Sequence, residues 1–190
     1  MVDKQQPKKL VITIGGLHGT GKTTYAKALA EKFGLKHVSA GEIFRQLAKE
    51  KGLTLQELTS LAKKDRKIDE LIDSRIREAA KKEDRVIIDG LLSAWMAGER
   101  ADIKIYLFTS DEVRFKRIAS REKIPYEEAK KLTLEREKAE KERYKKFYGL
   151  DLDDLTVYDI VFNTDLLPLN SNIKVLTDVI NEYMKAKSGE

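Results

Sequence analysis

Short apolar runs alternate with longer amphipathic stretches along this chain. The runs are rich in β-branched residues and short enough to be buried strands. They span residues 10–14, 86–89, 103–108 and 159–164, with a weaker run at 35–39. Strands that alternate with helices are typical of a parallel sheet covered on both faces. The pattern therefore predicts an α/β fold with a five-stranded parallel sheet flanked by helices.

The stretches between these runs place apolar residues at helical spacing and carry start and stop signals. The first predicted helix, 23–33, ends at Gly34. A helix that begins at Pro125 and runs to residue 148 has Glu127 and Glu128 in its first turn, where acidic side chains are favourable. The other predicted helices are 43–51, 55–63, 68–82, 111–121 and 172–185.

The composition indicates a single globular domain and excludes disulfide-bonded proteins. A chain of 190 residues is typical of one domain, and the absence of cysteine excludes disulfides and thiolate metal sites. Charged residues make up 36% of the chain, mostly Lys and Glu, which favours a thermophilic source. No apolar stretch approaches the roughly 20 residues that span a bilayer, and the first residues lack a signal-peptide core, so we expect a cytoplasmic protein. A net charge of +5 suits nucleic acid and phosphorylated small molecules alike.

A glycine-rich stretch separates the first predicted strand from the first predicted helix. Gly16, Gly21, Lys22 and Thr23 match the motif G-x-x-x-x-G-K-[ST] in the strand-to-helix context that it requires. Backbone N–H groups of such a loop and the helix N-terminus form a cradle for phosphates. Lys22 would reach the β- and γ-phosphates of ATP, and the Thr23 hydroxyl would bind Mg²⁺. The predicted nucleotide-binding residues of this P-loop NTPase fold are Gly16, Gly19, Gly21, Lys22, Thr23 and Thr24.

A P-loop alone serves kinases, switches and motors. The chain lacks the Asn-Lys-x-Asp motif of switch GTPases, and motor ATPases are usually larger. It has instead two helical inserts, an acceptor-binding segment at 41–84 and a lid at 121–148, within a core of 8–40, 85–120 and 149–190. Two inserts that close on two substrates would exclude water, as a kinase requires.

Arginines on the second insert and the helix before it are candidates to bind the transferring phosphoryl group. Arg114, Arg117 and Arg121 share one helical face, and Arg136 and Arg143 share a face of the next helix. The planar guanidinium matches phosphate oxygens and is always charged. Alternatively, these residues belong to solvated helices with Glu–Arg pairs. We assign catalytic roles to Arg121 and Arg136.

Polar residues that follow the second and third predicted strands are candidates for metal and acceptor binding. Asp89 ends the third strand and would hold Mg²⁺ through water or position the acceptor; alternatively it forms a turn before Gly90. Ser39 and Arg45 follow the second strand, at the sheet edge where ligands bind in such folds. Alternatively, Ser39 caps a helix and Arg45 lies on the surface.

Three further residues receive structural interpretations. His37 is expected to pack within its strand, and His18 to be an exposed side chain of the phosphate loop. Trp95 is expected to pack in the core or at a hinge.

Several stretches resemble archaeal-type cytidylate kinases, within the nucleoside monophosphate kinase superfamily. They are "ITIGGLHGTGKTT", "GLKHVSAGEIFR", "SREKIPYEEA" and "EREKAEKERYKKFYGLDLDDLTVYDIVFNT". The resemblance implies phosphoryl transfer from MgATP to CMP or dCMP. It implies that Ser39 and Arg45 contact the acceptor nucleotide, and that Asn163 and Thr164 lie near the donor base.

The same resemblance implies that Arg121, Arg136 and Arg143 lie on a lid over the phosphates. It also implies an arginine at position 91 that would help to bind the acceptor monophosphate, but this chain has Leu91 there. The identity of the phosphate acceptor is therefore left open. Arg45 and Arg75 would then bind the acceptor phosphate. The alternatives are a kinase for another small acceptor and an NTP-binding, RNA-associated factor without turnover. We expect a monomer that binds small nucleotides, with no membrane and no stable nucleic-acid partner.

Overall fold

The computed structural model describes residues 9–189, and within them one sheet organises the chain. Its five strands are all parallel, in the order β2-β3-β1-β4-β5. The strands are β1 (Leu10–Gly15), β2 (Lys36–Ser39), β3 (Arg85–Asp89), β4 (Ile103–Phe108) and β5 (Ile160–Asn163). The predicted fold class is confirmed. Residue 8 of the predicted core, and residue 190, lie outside the described residues.

Helices connect the strands, largely where the sequence predicts them. They are α1 (Lys22–Phe33), α2 (Ala40–Glu50), α3 (Leu55–Ala62), α4 (Lys67–Lys82), α5 (Ser93–Ala97), α6 (Asp111–Glu122), α7 (Tyr126–Tyr148) and α8 (Leu169–Ser188), with short 3-10 turns at Gly98–Arg100 and Leu155–Val157. Helix α5 was not predicted, because five residues are too few to show a helical period. Helix α8 extends beyond the predicted 172–185 at both ends.

The sheet has a hydrophobic layer on each face, because successive residues of a strand point to opposite sides. Ile12 and Ile14 of β1 belong to the layer that α1 and α8 cover. Val11, between them in sequence, belongs to the layer formed with α2, α3 and α4. Burial on both faces explains why β1 is a continuous apolar run rather than an alternating one. Trp95 packs as expected, with its ring edge-on to Tyr158 at 5.6 Å.

The two predicted inserts contact each other. Helix α3 of the first insert packs against α7 of the second. A buried ion pair also joins them, since Arg143 of α7 donates to Asp69 of α4 at 2.6 Å. Both inserts line a cavity at the carboxyl edge of the sheet. No helix within residues 9–189 has the length and apolar character needed to cross a bilayer.

Candidate active site

The loop between β1 and α1 has a backbone that only glycine accommodates at two positions. Gly16 has φ 135°, and a Cβ there would lie 2.3 Å from the carbonyl oxygen of Leu107. Gly19 has φ 81°, and its Cβ would lie 2.6 Å from the carbonyl oxygen of Arg114. Side chains at either position would clash with backbone atoms that cannot move away. The glycines therefore set the path of the loop.

The start of α1 is open to an anion. Its N-cap is Gly21, which offers no side chain to cap the first N–H groups. Uncapped N–H groups at a helix N-terminus bind phosphate readily. Lys22 begins the helix, and its Nζ donates to the carbonyl oxygens of Gly16 at 2.7 Å and Leu17 at 2.9 Å. Burial lowers the pKa of Lys22 to about 8, although the Asp89 carboxylate opposes that shift.

The Asp89 carboxylate forms three hydrogen bonds at the carboxyl ends of neighbouring strands. Thr23 Oγ1 donates to Asp89 Oδ2 at 2.9 Å, and Ser39 Oγ donates to the same oxygen at 3.1 Å. His37 Nε2 lies 2.6 Å from Asp89 Oδ1. The parallel register pairs Ser39 with Asp89, which explains their proximity. Ser39 is the N-cap of α2, so the helix-cap alternative is confirmed. Its contact with an acceptor nucleotide stays a prediction.

Thr23 and Asp89 supply a donor set that suits Mg²⁺. Both offer oxygen atoms, and Mg²⁺ is usually bound by one or two protein oxygens together with substrate phosphates and water. Among residues 9–189, no group of three or more His, Asp or Glu side chains could hold a metal ion alone.

One cavity of about 450 Å³ joins the phosphate loop to both inserts. Cationic side chains from four elements line it, together with the carboxylates of Asp73, Asp89 and Glu140. The excess of positive charge favours an anionic ligand. Burial and the neighbouring Arg121 guanidinium both lower the pKa of Arg45, which shows this crowding. The cationic side chains that line the cavity are Lys22, Arg45, Arg117, Arg121 and Arg136.

Much of the remaining cavity wall is apolar and aromatic. Leu91 lies in this wall, at the position where the family resemblance implies an arginine. Asp73 of α4 is the carboxylate of this wall, and it is 4% exposed. The other residues of the wall include Phe44, Ile72, Ile76, Leu92 and Tyr144.

His18 is not the exposed loop residue that we expected. Its ring is largely buried, and Nε2 lies 2.7 Å from Glu140 of α7. Arg136 donates to the other oxygen of Glu140 at 2.9 Å. Burial opposes the charged form of Glu140, but His18 and Arg136 outweigh it and hold the pKa of Glu140 below its usual range. Helix α7 thus rests on the phosphate loop, a contact between residues far apart in sequence.

Arg114 connects the same two elements and does not line the cavity. Its guanidinium is 2% exposed and binds Asp111, Glu137 and the backbone oxygen of His18. Glu137 also accepts from the backbone N–H of His18 at 3.2 Å. Arg114 is therefore a structural residue that holds α6, α7 and the phosphate loop together, whereas Arg117 on the same helix lines the cavity.

Several other predicted site residues lie outside the cavity wall. Arg75 is exposed on α4. Arg143 is buried and bound to Asp69, because its position on α7 faces α4 rather than the phosphate loop. Asn163 accepts from the backbone of Asp165, and Thr164 is buried with its hydroxyl on the carbonyl oxygen of Phe108. The role of the last two beside a donor base stays a prediction.

Sequence reasoning missed two carboxylates of the site. Asp73 lies on the buried face of α4, within the isoleucine row at 68, 72 and 76. A charged residue inside an apolar stripe is a signal that the sequence did offer. Glu140 gave no comparable signal, because it resembles the other glutamates of a highly charged helix.

Comparison with known proteins agrees with this geometry. A model of the cytidylate kinase-like family matches residues 11–166. The chain is 45% identical to the cytidylate kinase of Methanocaldococcus jannaschii, over 93% of this chain and 100% of that protein. It is 49% identical to the cytidylate kinase of Pyrococcus horikoshii, over 82% of this chain and 80% of that protein.

Solved structures with the same fold include two shikimate kinases. The enzyme from Bacteroides thetaiotaomicron has a TM-score of 0.62 at 20% identity, over 90% of this chain and 98% of that one. The enzyme from Acinetobacter baumannii, solved with shikimate, has a TM-score of 0.61 at 17% identity, over 92% of this chain and 94% of that one. These likenesses concern the fold alone. By the family match and the identity to its relatives, the chain belongs to the cytidylate kinase-like family.

Proposed function

We propose that this protein transfers the γ-phosphoryl group of MgATP to CMP or dCMP. The observation that carries the proposal is that the phosphate loop and arginines from both inserts line one and the same cavity. A donor triphosphate and an acceptor monophosphate would bring their negative charges together at that point. Relatives named cytidylate kinase, 45% and 49% identical, support cytidylate as the acceptor.

The chain's residues would act by positioning and charge stabilisation. Thr23 and Asp89 would hold Mg²⁺, which when bound neutralises phosphate charge. Lys22 would leave its carbonyl partners and follow the γ-phosphoryl group, while Arg121 and Arg136 would stabilise charge on its oxygens. A monophosphate oxygen is already nucleophilic, so the mechanism needs no side-chain base. Closure of α7 over the loop would exclude water.

The acceptor phosphate would lie near Arg45, which projects into the cavity from α2. Leu91 contributes no charge there, and Arg75 is exposed outside the wall. We therefore expect acceptor monophosphates to bind weakly but to turn over. Cytoplasmic location, a monomeric state, a thermophilic source and the lack of a stable nucleic-acid partner stay predictions.

The test is a substrate panel with MgATP. Transfer would be followed by separating the nucleotide products after incubation with CMP, dCMP, UMP, AMP, GMP and simple alcohols. We expect CMP or dCMP to give the highest kcat/KM, and Lys22→Ala to reduce it by about 10²–10³-fold. Transfer to an alcohol but to no pyrimidine monophosphate would favour a kinase for another acceptor. Salt-dependent RNA binding without any transfer would favour the RNA-associated factor.

A further inference from the structure

A buried carboxylate lies in the cavity wall where nucleotide phosphates would bind. Glu140 of α7 is 3% exposed and lines the cavity together with Lys22 and Arg136. A negative charge beside bound phosphates repels them and lowers their affinity. A residue that opposes binding in this way is expected to contribute to another step, and its contacts indicate which one.

Both carboxylate oxygens of Glu140 have fixed partners. Arg136 Nε, one turn away on the same helix, donates to Oε1 at 2.9 Å. His18 Nε2 lies 2.7 Å from Oε2. Burial lowers the pKa of His18 to about 4, although Glu140 opposes that shift, so the ring is neutral near pH 7 and its Nε2–H donates to the carboxylate. Glu140 therefore joins Arg136 to the phosphate loop.

The guanidinium of Arg136 is held on one edge and on one face. Glu140 binds the edge at Nε, and the ring of Phe44 on α2 contacts the face, with its centroid 4.9 Å from Cζ. Within residues 9–189, Arg136 forms no other hydrogen bond or ion pair. The terminal nitrogens Nη1 and Nη2 are therefore available, and together they form the planar fork that matches two phosphate oxygens.

Arg136 lies close to both the donor side and the acceptor side of the cavity. Burial is the main cause of the lowered pKa of Lys22 and of Arg45, and the Arg136 charge adds to both shifts. Its guanidinium is therefore near the lysine expected at the γ-phosphate and near the arginine expected at the acceptor phosphate. The transferring phosphoryl group would pass between those two side chains, within reach of the fork.

We propose that Glu140 is a positioning residue that orients the Arg136 fork toward the transferring phosphoryl group, and that His18 fixes this orientation relative to the phosphate loop. The proposal rests on the phosphoryl transfer proposed above and adds how its arginine is held. Orientation of Arg136 matters most in the transition state, whereas repulsion by Glu140 acts on bound nucleotides throughout. Loss of Glu140 should therefore slow transfer without weakening nucleotide binding.

The test measures kcat, the KM for CMP and the dissociation constant of MgATP in Glu140→Ala and Glu140→Gln. We expect kcat of Glu140→Ala to fall about 10–100-fold, since a misplaced group costs a rate factor of this size. The KM and the dissociation constant should be unchanged or lower, because a repulsive charge has been removed. Glu140→Gln keeps an oxygen for Arg136 Nε and should retain more of the wild-type kcat than Glu140→Ala.

Two results of these measurements would contradict the proposal. A merely structural glutamate would weaken nucleotide binding as well as transfer when it is replaced. A carboxylate that holds Arg136 away from the phosphates would give a higher kcat when it is removed. Glu142→Gln is the matched control, because it makes the same change of chemistry at an exposed residue of α7 and should leave kcat unchanged.

A double-mutant cycle determines whether the effect depends on Arg136. In an Arg136→Ala background, Glu140→Ala should change kcat by less than about twofold, because no fork remains to be oriented. His18→Phe keeps a ring but removes the Nε2 donor, and it should lower kcat several-fold only where Arg136 is present. This variant tests the proposal independently should Glu140→Ala fail to fold.

The outcomes separate the two proposals. Wild-type protein that transfers phosphate to CMP, with variants that lower kcat by the same factor in both backgrounds, would overturn the positioning role and keep the kinase function. Wild-type protein that transfers phosphate to no acceptor of the substrate panel would overturn both. A loss of kcat that requires Arg136, without weaker nucleotide binding, would support the positioning role.

Discussion

The buried amine of Lys22 yields a prediction that both kinetics and stability can check. Its pKa is lowered from 10.5 to about 8 by burial, before any nucleotide binds. Since kcat/KM reports ionisations of the free enzyme, kcat/KM for ATP should fall above pH 8 as the amine loses its proton. One unit above the pKa only about a tenth of the protein is active, so a fall of about tenfold is expected there.

The value of kcat should fall at higher pH than kcat/KM, because bound phosphates favour the charged amine. Initial rates measured between pH 6 and 10 with saturating acceptor would provide both profiles. Lys22→Arg is the control, because a guanidinium stays charged across this pH range. The fall in kcat/KM at alkaline pH should therefore disappear in this variant, even if the variant is slower than the wild type. A wild-type kcat/KM that stays flat well above pH 8 would show that the amine is not buried as described.

The same burial predicts that Lys22→Met costs activity but not stability. The fall in pKa from 10.5 to about 8 corresponds to a penalty of about 3 kcal/mol in the folded state. Two hydrogen bonds to loop carbonyls, at about 1 kcal/mol each, offset part of it, so the variant should gain roughly 1 kcal/mol and about 2–4 °C in Tm.

The sign of the pH dependence follows from the lowered pKa. The folded protein binds this proton less tightly than the unfolded chain, so the penalty is present below pH 8 and disappears as the pH rises to about 10.5. Urea unfolding of the wild type and Lys22→Met across that range would measure it. A variant that is less stable than the wild type at neutral pH would contradict the assignment.

Three other predictions concern the arginines and Leu91. Arg121→Lys and Arg136→Lys should each lower kcat more than they raise the acceptor KM, because lysine keeps the charge but loses the planar fork. Steady-state kinetics in which kcat is unchanged in both variants would remove these arginines from the transfer step. Leu91→Arg should lower the KM for CMP, measured in the same assay, and damage to transfer without any gain in CMP binding would indicate a different acceptor. Asp69→Asn should destabilise the protein by about 3–5 kcal/mol in denaturant unfolding, since it leaves buried Arg143 without its counter-ion.

Local patterns in the sequence were enough for much of the fold. The strand at 103–108 and the helix that follows Pro125 lie within a residue or two of their predicted bounds. Hydrophobic periodicity and the residues that start or stop a helix are local properties of the sequence. The phosphate loop was equally predictable, since the motif itself specifies Gly16, which the backbone geometry of the loop requires.

The roles of the charged side chains were decided by tertiary structure. Arginines of the same type and helical spacing separate into Arg117, which lines the cavity, and Arg114 and Arg143, which are buried in ion pairs. His18 and Glu140 are 122 residues apart in sequence and form one hydrogen bond. The sequence by itself determined the family, the sheet and the phosphate loop, because short-range geometry encodes them. An arginine is exposed to solvent, paired with a carboxylate or placed in the cavity wall according to how α4, α6 and α7 pack together. That packing brings together residues far apart in sequence, so no local sequence pattern predicts it.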